Sequence, residues 1–199
     1  MVELTVIIPV GPRHEEVAKR AVLSVTALHR GPFDRISHIL VDDTKGLLGR
    51  SRARNYGISQ ATTEWLFFLD ADDEIMPLAT DHINLHSDAT FGRVQLDGRI
   101  HPQDVWPCGR EQIRQLGAKY TLCMGFFCRT ALAQSMLFSE DLDNGEDFDF
   151  YMRLPSFYKS PNPLVNIHYQ ESRAAKNWVN TYWTETCQAV IDQYLHKGW

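Results

Sequence analysis

Residues 65 to 73 read WLFFLDADD, an apolar run that ends abruptly in three carboxylates, Asp70, Asp72 and Asp73. Unbroken apolar residues from Trp65 to Leu69 suit a strand buried on both faces, since such a strand shows no polar alternation. Upstream, Leu4 to Val10 (LTVIIPV) is a run of the same kind, closed by Pro9 and Gly11, and Ile36 to Val41 (ISHILV) reads as a further strand, ending at Asp42-Asp43. Helical patterns separate the three. Val17, Ala21, Val25 and Leu28 recur at helical spacing from Glu15 until Gly31-Pro32, and Gly49 to Gln60 reads as a second helix. This β-α-β-α-β series predicts an α/β, Rossmann-like single domain with a mostly parallel central sheet flanked by helices. Ligands of such open sheets bind outside the carboxyl ends of the strands. Pro9-Val10-Gly11, Asp42 and Asp70 to Asp73 all stand at strand ends of that type, so they are expected to share one edge.

Downstream the pattern loosens. Phe91 to Leu96 and Leu122 to Cys128 are expected as strands, with a helix near Arg110 to Tyr120 between them. Val179, Trp183, Cys187, Val190 and Tyr194 form an apolar stripe that predicts a C-terminal helix packed on the core. There is no internal repeat, low-complexity tract or linker.

With 199 residues, 44% of them hydrophobic, the chain can bury one sizeable core and is short for two enzyme domains. Its formal charge of -5 gives no general attraction to phosphate backbones, and Arg50, Arg52 and Arg54 make too short a basic stretch for a nucleic-acid patch. No apolar run reaches transmembrane length, and Met1 to Val10 lacks the features of a secretory signal, so a soluble, cytoplasmic protein is expected. Cys108, Cys123, Cys128 and Cys187 form no Cys-x-x-Cys pair and read as reduced thiols.

Three carboxylates directly after a strand repel one another, and a cation or the amides of a helix terminus must offset that. Hard divalent ions, Mn2+ or Mg2+, take oxygen ligands and combine one or two protein carboxylates with substrate phosphates. A metal-diphosphate site is one reading of Asp70 to Asp73; a cap for a helix starting near Pro77 is the other. Asp42 offers an acceptor that a pyrimidine imide N–H can use, or else caps a turn. Arg54 can stack on a base or pair with a carboxylate, or else lies on a solvated helix face. In Asn144-Gly145-Glu146-Asp147, Glu146 and Asp147 are candidates for taking a proton from an acceptor hydroxyl; the competing reading is a capping box with Asn144 as the cap. His168 ends an apolar stretch and can join carboxylates around a metal, or be a hydrogen-bonded core histidine. Beyond it, Tyr169 to Lys176 carries Arg173 and Lys176. These cations can neutralise a departing diphosphate, and the segment reads as a lid, or as an ordinary surface loop.

In order, VIIPV at Val6 to Val10, LVDD at Leu40 to Asp43, ARN at Ala53 to Asn55, FLDADD at Phe68 to Asp73 and NGEDFDFYMRL at Asn144 to Leu154 resemble the inverting nucleotide-sugar glycosyltransferases of family 2, which have the GT-A fold. The resemblance implies that Asp42 contacts the donor base with Arg54 near it and that Asp70 faces the ribose. Asp72 would hold the metal on the diphosphate, and Asp147 would be the catalytic base with Glu146 beside it. His168 resembles a histidine that some members place near the metal. A UDP-sugar is the implied donor, and a glycan, a lipid-linked sugar or a protein the acceptor. Residues 1–73 would form the nucleotide-binding half and residues 74–199 the acceptor and catalytic half. Where the family often continues Gly-Ser-x-Asp after Asp42-Asp43, this chain has Thr44-Lys45-Gly46. The Gln-x-x-Arg-Trp signature of processive members is absent, which points to transfer of a single sugar.

Two enzyme classes that share an α/β sheet fit less well. A sugar nucleotidyltransferase needs a Gly-rich phosphate loop after the first strand, and a dinucleotide-dependent dehydrogenase needs Gly-x-Gly-x-x-Gly. Pro9-Val10-Gly11-Pro12-Arg13 supplies one glycine. A catalytically silent nucleotide-sugar-binding domain is the remaining alternative.

Overall fold

Strand β1 (Glu3–Val10) shows why the sheet is buried on both sides. Leu4, Val6 and Ile8 belong to one apolar cluster, and Ile7 belongs to another on the opposite face. Successive side chains of a strand point to opposite faces, so a run of this composition needs helices on both. In the computed structural model, which describes residues 1–103, 112, 125–142, 144–168 and 181–197, it has them.

The other strands are β2 (Arg35–Asp42), β3 (Trp65–Phe68), β4 (Asp73–Ile75), β5 (Ala89–Leu96), β6 (Arg99–His101), β7 (Phe126–Arg129) and β8 (Tyr158–Ile167). They form one sheet in the order β2-β1-β3-β7-β5-β8-β4, with β6 paired to β5. The pairs β1–β2, β1–β3 and β5–β8 are parallel, and β3–β7, β5–β7, β4–β8 and β5–β6 are antiparallel. Hence β1, β2, β3, β5 and β8 point one way, and β7, β4 and β6 run against them.

Helix α1 (Glu15–Thr26) buries Ala18, Ala21 and Val25 against the face carrying Val6, Ile8, Trp65 and Phe67. Helix α2 (Gly49–Gln60) buries Ala53 and Ile58 against the face carrying Ile7, Leu66 and Phe68. Its approach to β1 is close: a Cβ on Gly57 would lie 2.5 Å from Ile7 Cγ2, so no larger residue fits there without movement. Helices α3 (Thr130–Met136), α4 (Glu146–Arg153) and α5 (Thr181–Lys197) complete that second layer. From them Ala133, Phe148, Phe150, Cys187, Val190 and Ile191 enter the same cluster as Phe68, Phe91 and Phe126. The apolar stripe expected of the C-terminal helix is there in Cys187 and Val190, with Tyr194 packed at its edge.

The expected helix boundaries of α2 agree with the structure residue for residue. No helix begins near Pro77; a three-residue strand, β4, and a 3-10 turn at Ala79–His82 occupy that region instead. The helix expected at Arg110 to Tyr120 and the segment Tyr169 to Lys176, with Arg173 and Lys176, lie outside the described residues. Cys128 and Cys187 are buried free thiols. Among the described residues no helix is long and apolar enough to cross a membrane.

Candidate active site

The carboxyl ends of β1, β2 and β3 lie side by side, because β1 pairs in parallel with both neighbours, Val10 opposite Asp42 and Ile7 opposite Phe68. This brings Pro9-Val10-Gly11, Asp42 and Asp70 to Asp73 to one edge, as the alternation of elements predicts. The chain leaving β1 is tied there: Val10 O accepts the Asp43 N–H at 2.9 Å, and Gly11 O accepts the His14 N–H at 3.1 Å.

The two aspartates that end β2 have different surroundings. Asp42 is exposed, and its Oδ1 accepts the Thr44 N–H at 3.0 Å, which holds its carboxyl below the ordinary value. Asp43 is buried. Its Oδ1 accepts N–H groups of Leu47 (2.7 Å) and Leu48 (2.9 Å), and its Oδ2 that of Gly49 (2.8 Å). It therefore satisfies donors at the start of α2 and shapes the loop that follows Asp42.

Carboxylate oxygens of Asp70, Asp72 and Asp73 all lie within 4.8 Å of one another. Burial and the charge of Asp70 raise the Asp72 carboxyl, and burial with the charges of both neighbours raises Asp73 well above its usual value. Asp73 Oδ1 is buried without a hydrogen-bond partner. An oxygen-only cluster with an orphaned buried carboxylate oxygen fits a hard divalent cation, whose charge would reverse these shifts. Asp70 differs: burial opposes its charge, but the ion pair with Arg54 outweighs it and lowers the carboxyl below its ordinary value.

Arg54 is the hub of the site. Its side chain, 10% exposed, sends Nη2 to Asp70 Oδ1 at 2.6 Å and Nη1 to Glu146 Oε1 at 2.7 Å, with the guanidinium 5.3 Å from the Phe138 ring centre. The solvated-face reading of Arg54 is thereby excluded. The next residue, Asn55, ties α2 to the segment that follows α3: its amide donates to Phe138 O and its oxygen accepts the Phe138 N–H.

Helix α4 presents Glu146-Asp147 behind Gly145, whose φ of +76° favours glycine and whose added Cβ would meet Thr186 Cγ2 of α5 at 3.2 Å. The capping box does not form. Asp147 Oδ1 accepts the N–H of its own neighbour Phe148 at 2.8 Å, and no side chain caps the helix. Burial and the adjacent Glu146 push the Asp147 carboxyl up to about 6, against the pull of Arg54.

His168 follows β8, one step past Ile167, which pairs with Asp73. Its Nε2 lies 2.9 Å from Glu74 Oε1, and Arg20 Nε lies 3.0 Å from the same oxygen. The ring is thus engaged by Glu74 and stands outside the three-aspartate group. Glu74 and Arg20 were not foreseen, since a three-residue strand inside an acidic run leaves no period to read. Asp43 could have been suspected from its place before a Gly-bounded helix.

Residues 44–85 match the model of the family described as glycosyl transferase family 2. No curated protein matches the chain in sequence. Among solved structures, that of S. aureus TarS 1-349 in complex with UDP-GlcNAc is 18% identical at a TM-score of 0.59, over 86% of this chain and 60% of that one. Glucosyl-3-phosphoglycerate synthase from Mycobacterium tuberculosis, in complex with Mn2+, UDP-glucose and phosphoglyceric acid, is 11% identical at 0.59, over 96% and 80%. Mannosyl-3-phosphoglycerate synthase from Rubrobacter xylanophilus is 12% identical at 0.62, over 98% and 74%. The chain thus spans about three-fifths of the length of that TarS structure. The chain thus shares the GT-A fold of these structures, and its sequence likeness to glycosyl transferase family 2 covers residues 44–85.

Proposed function

We propose that the chain transfers a single sugar, with inversion, from a nucleotide diphosphate donor, a UDP-sugar, to a hydroxyl of a glycan, lipid-linked or protein acceptor. The observation that carries this reading is one arginine joining two acidic groups: Arg54 binds both Asp70 of the strand-end cluster and Glu146, the neighbour of Asp147. This pairing supports a donor site and a proton acceptor that lie next to each other. The UDP-sugar and Mn2+ in the structures of similar fold support the choice of donor and ion.

In this reading residues 1–73 hold the donor, with Asp42 accepting the imide N–H of uracil and Pro9-Val10-Gly11 backing the nucleotide. Asp70 faces the ribose. A divalent ion, Mn2+ or Mg2+, held by Asp72 with Asp73, would supply positive charge to the diphosphate and to the leaving nucleotide, while His168, taken up by Glu74, is not among its ligands. Residues 74–199 supply the acceptor side. Asp147 takes the proton of the acceptor hydroxyl as its oxygen attacks the anomeric carbon, while Glu146, paired with Arg54, adds negative charge that keeps Asp147 basic. Arg173 and Lys176 complete the reading as cations for the departing diphosphate.

Asp72→Asn tests the donor site. Calorimetry should show Mn2+-dependent binding of UDP to the unmodified chain, tighter than CDP, and a loss of roughly tenfold or more in the variant. UDP binding that is equal with and without Mn2+, and unchanged in Asp72→Asn, would remove the assignment.

A further inference from the structure

The sequence expectation sets Arg54 beside the nucleotide base, but the geometry gives it other work. We propose that Arg54 is a positioning residue for the proton acceptor: by binding Asp70 and Glu146 together it fixes the start of α4, and hence Asp147, against the donor edge. This rests on the assignment of Asp147 as base in the proposed function.

Three observations converge. Both terminal nitrogens of Arg54 are engaged by carboxylates at 2.6 and 2.7 Å, and the side chain is 10% exposed, so it offers little surface to a nucleotide. Glu146 depends on it, because Glu146 Oε2 is buried with no hydrogen-bond partner and Oε1 is held by Arg54. The start of α4 has no cap of its own, Gly145 being left-handed and without a side chain. Among the described residues that turn is held by the fork of Arg54 and by α5, where Thr186 and Cys187 lie against Gly145. A planar guanidinium can serve two carboxylates at fixed angles at once; a lysine ammonium is a single point charge on a shorter reach. Charged groups facing Asp147 are Glu146 on its own helix, Arg54 from α2 and Asp70 from the end of β3, and α5 adds the buried Cys187 thiol, itself raised by burial and by the charges of Asp147 and Glu146.

The experiment compares the full chain with Arg54→Lys and Glu146→Gln, reading the pH dependence of kcat/KM for UDP release and the affinity for UDP with Mn2+. In Arg54→Lys, kcat/KM should fall roughly tenfold and its acid limb should move up by about one pH unit, with UDP affinity within about twofold of the unmodified chain. In Glu146→Gln the limb should move down by about one unit, since a like charge beside Asp147 is gone. If Arg54→Lys does not fold, the direction of the Glu146→Gln shift decides. An acid limb unmoved in both variants, or a tenfold loss of UDP affinity in Arg54→Lys with the limb unmoved, overturns the proposal and returns Arg54 to the nucleotide. Should the unmodified chain release no UDP from any donor, the proposed function fails, and carbon NMR titration of the Asp147 carboxyl still reads the positioning: shifts of the same opposite signs sustain it, and none refutes it.

Discussion

Asp147 and Asp149 sit two residues apart on α4 in different surroundings. Asp149 is a structural carboxylate: Oδ2 accepts from Ser139 Oγ at 2.7 Å and Arg153 Nε at 3.0 Å, and Oδ1 from Tyr194 Oη at 3.2 Å. Asp147 receives only the adjacent backbone N–H among the described hydrogen bonds, and burial beside Glu146 pushes it up to about 6. A base must be ionised to act, so kcat/KM should be level above pH about 6 and fall about tenfold for each unit below it. A limb near pH 4 would show that Asp147 is not the titrating group. Asp147→Asn keeps the shape and removes the acceptor, so transfer should drop roughly 10²–10⁴-fold with UDP affinity little changed. The sequence pattern already singled out Asp147, but the structural role of Asp149 was not legible from spacing alone. Its partners Ser139, Arg153 and Tyr194 come from other elements or other turns, and only the fold assembles them. The same holds for Arg54, for which base stacking, carboxylate pairing and a solvated face all stay open until Asp70 and Glu146 arrive from 16 and 92 positions away.

Asp42 and Asp43 make the corresponding contrast at the level of elements. The buried Asp43 holds three successive N–H groups ahead of α2, a role that no other side chain fills for this helix. Asp43→Ala should therefore lower stability by about 2 kcal/mol, seen as a lower urea midpoint at unchanged slope. Asp42→Ala at an exposed site should stay within about 0.5 kcal/mol. Equal losses in the two variants would contradict this division of labour. Helix α1 and strands β1 and β3 were legible because the apolar spacing of α1 runs from Val17 to Leu28 and the apolar runs of the two strands are unbroken over most of their length. Strand β4 was not, having three residues in an acidic stretch, and β8 was legible only in its last part. Pro161 and Pro163 lie in β8 where its register against β5 shifts near Gly92 and Arg93, a place at which a strand tolerates proline.

For the whole molecule, the α/β class and the edge on which Pro9 to Gly11, Asp42 and Asp70 to Asp73 converge followed from the order of elements. The second half of the sheet did not. β5 pairs with β8, Thr90 opposite Tyr158, and β7 enters between β3 and β5 with reversed direction, pairings between distant segments that no local period encodes. Those pairings bring Ile167, and with it His168, to the side of Asp73 and complete the acidic edge. The most direct test of the account is release of free UDP from radiolabelled UDP-sugars by the purified chain with Mn2+. The account predicts slow release for at least one UDP-sugar, faster with the right hydroxyl acceptor, abolished by EDTA and lost in Asp72→Asn. Binding of UDP-sugars without turnover under any of these conditions would contradict it and mark the chain as a silent nucleotide-sugar binder.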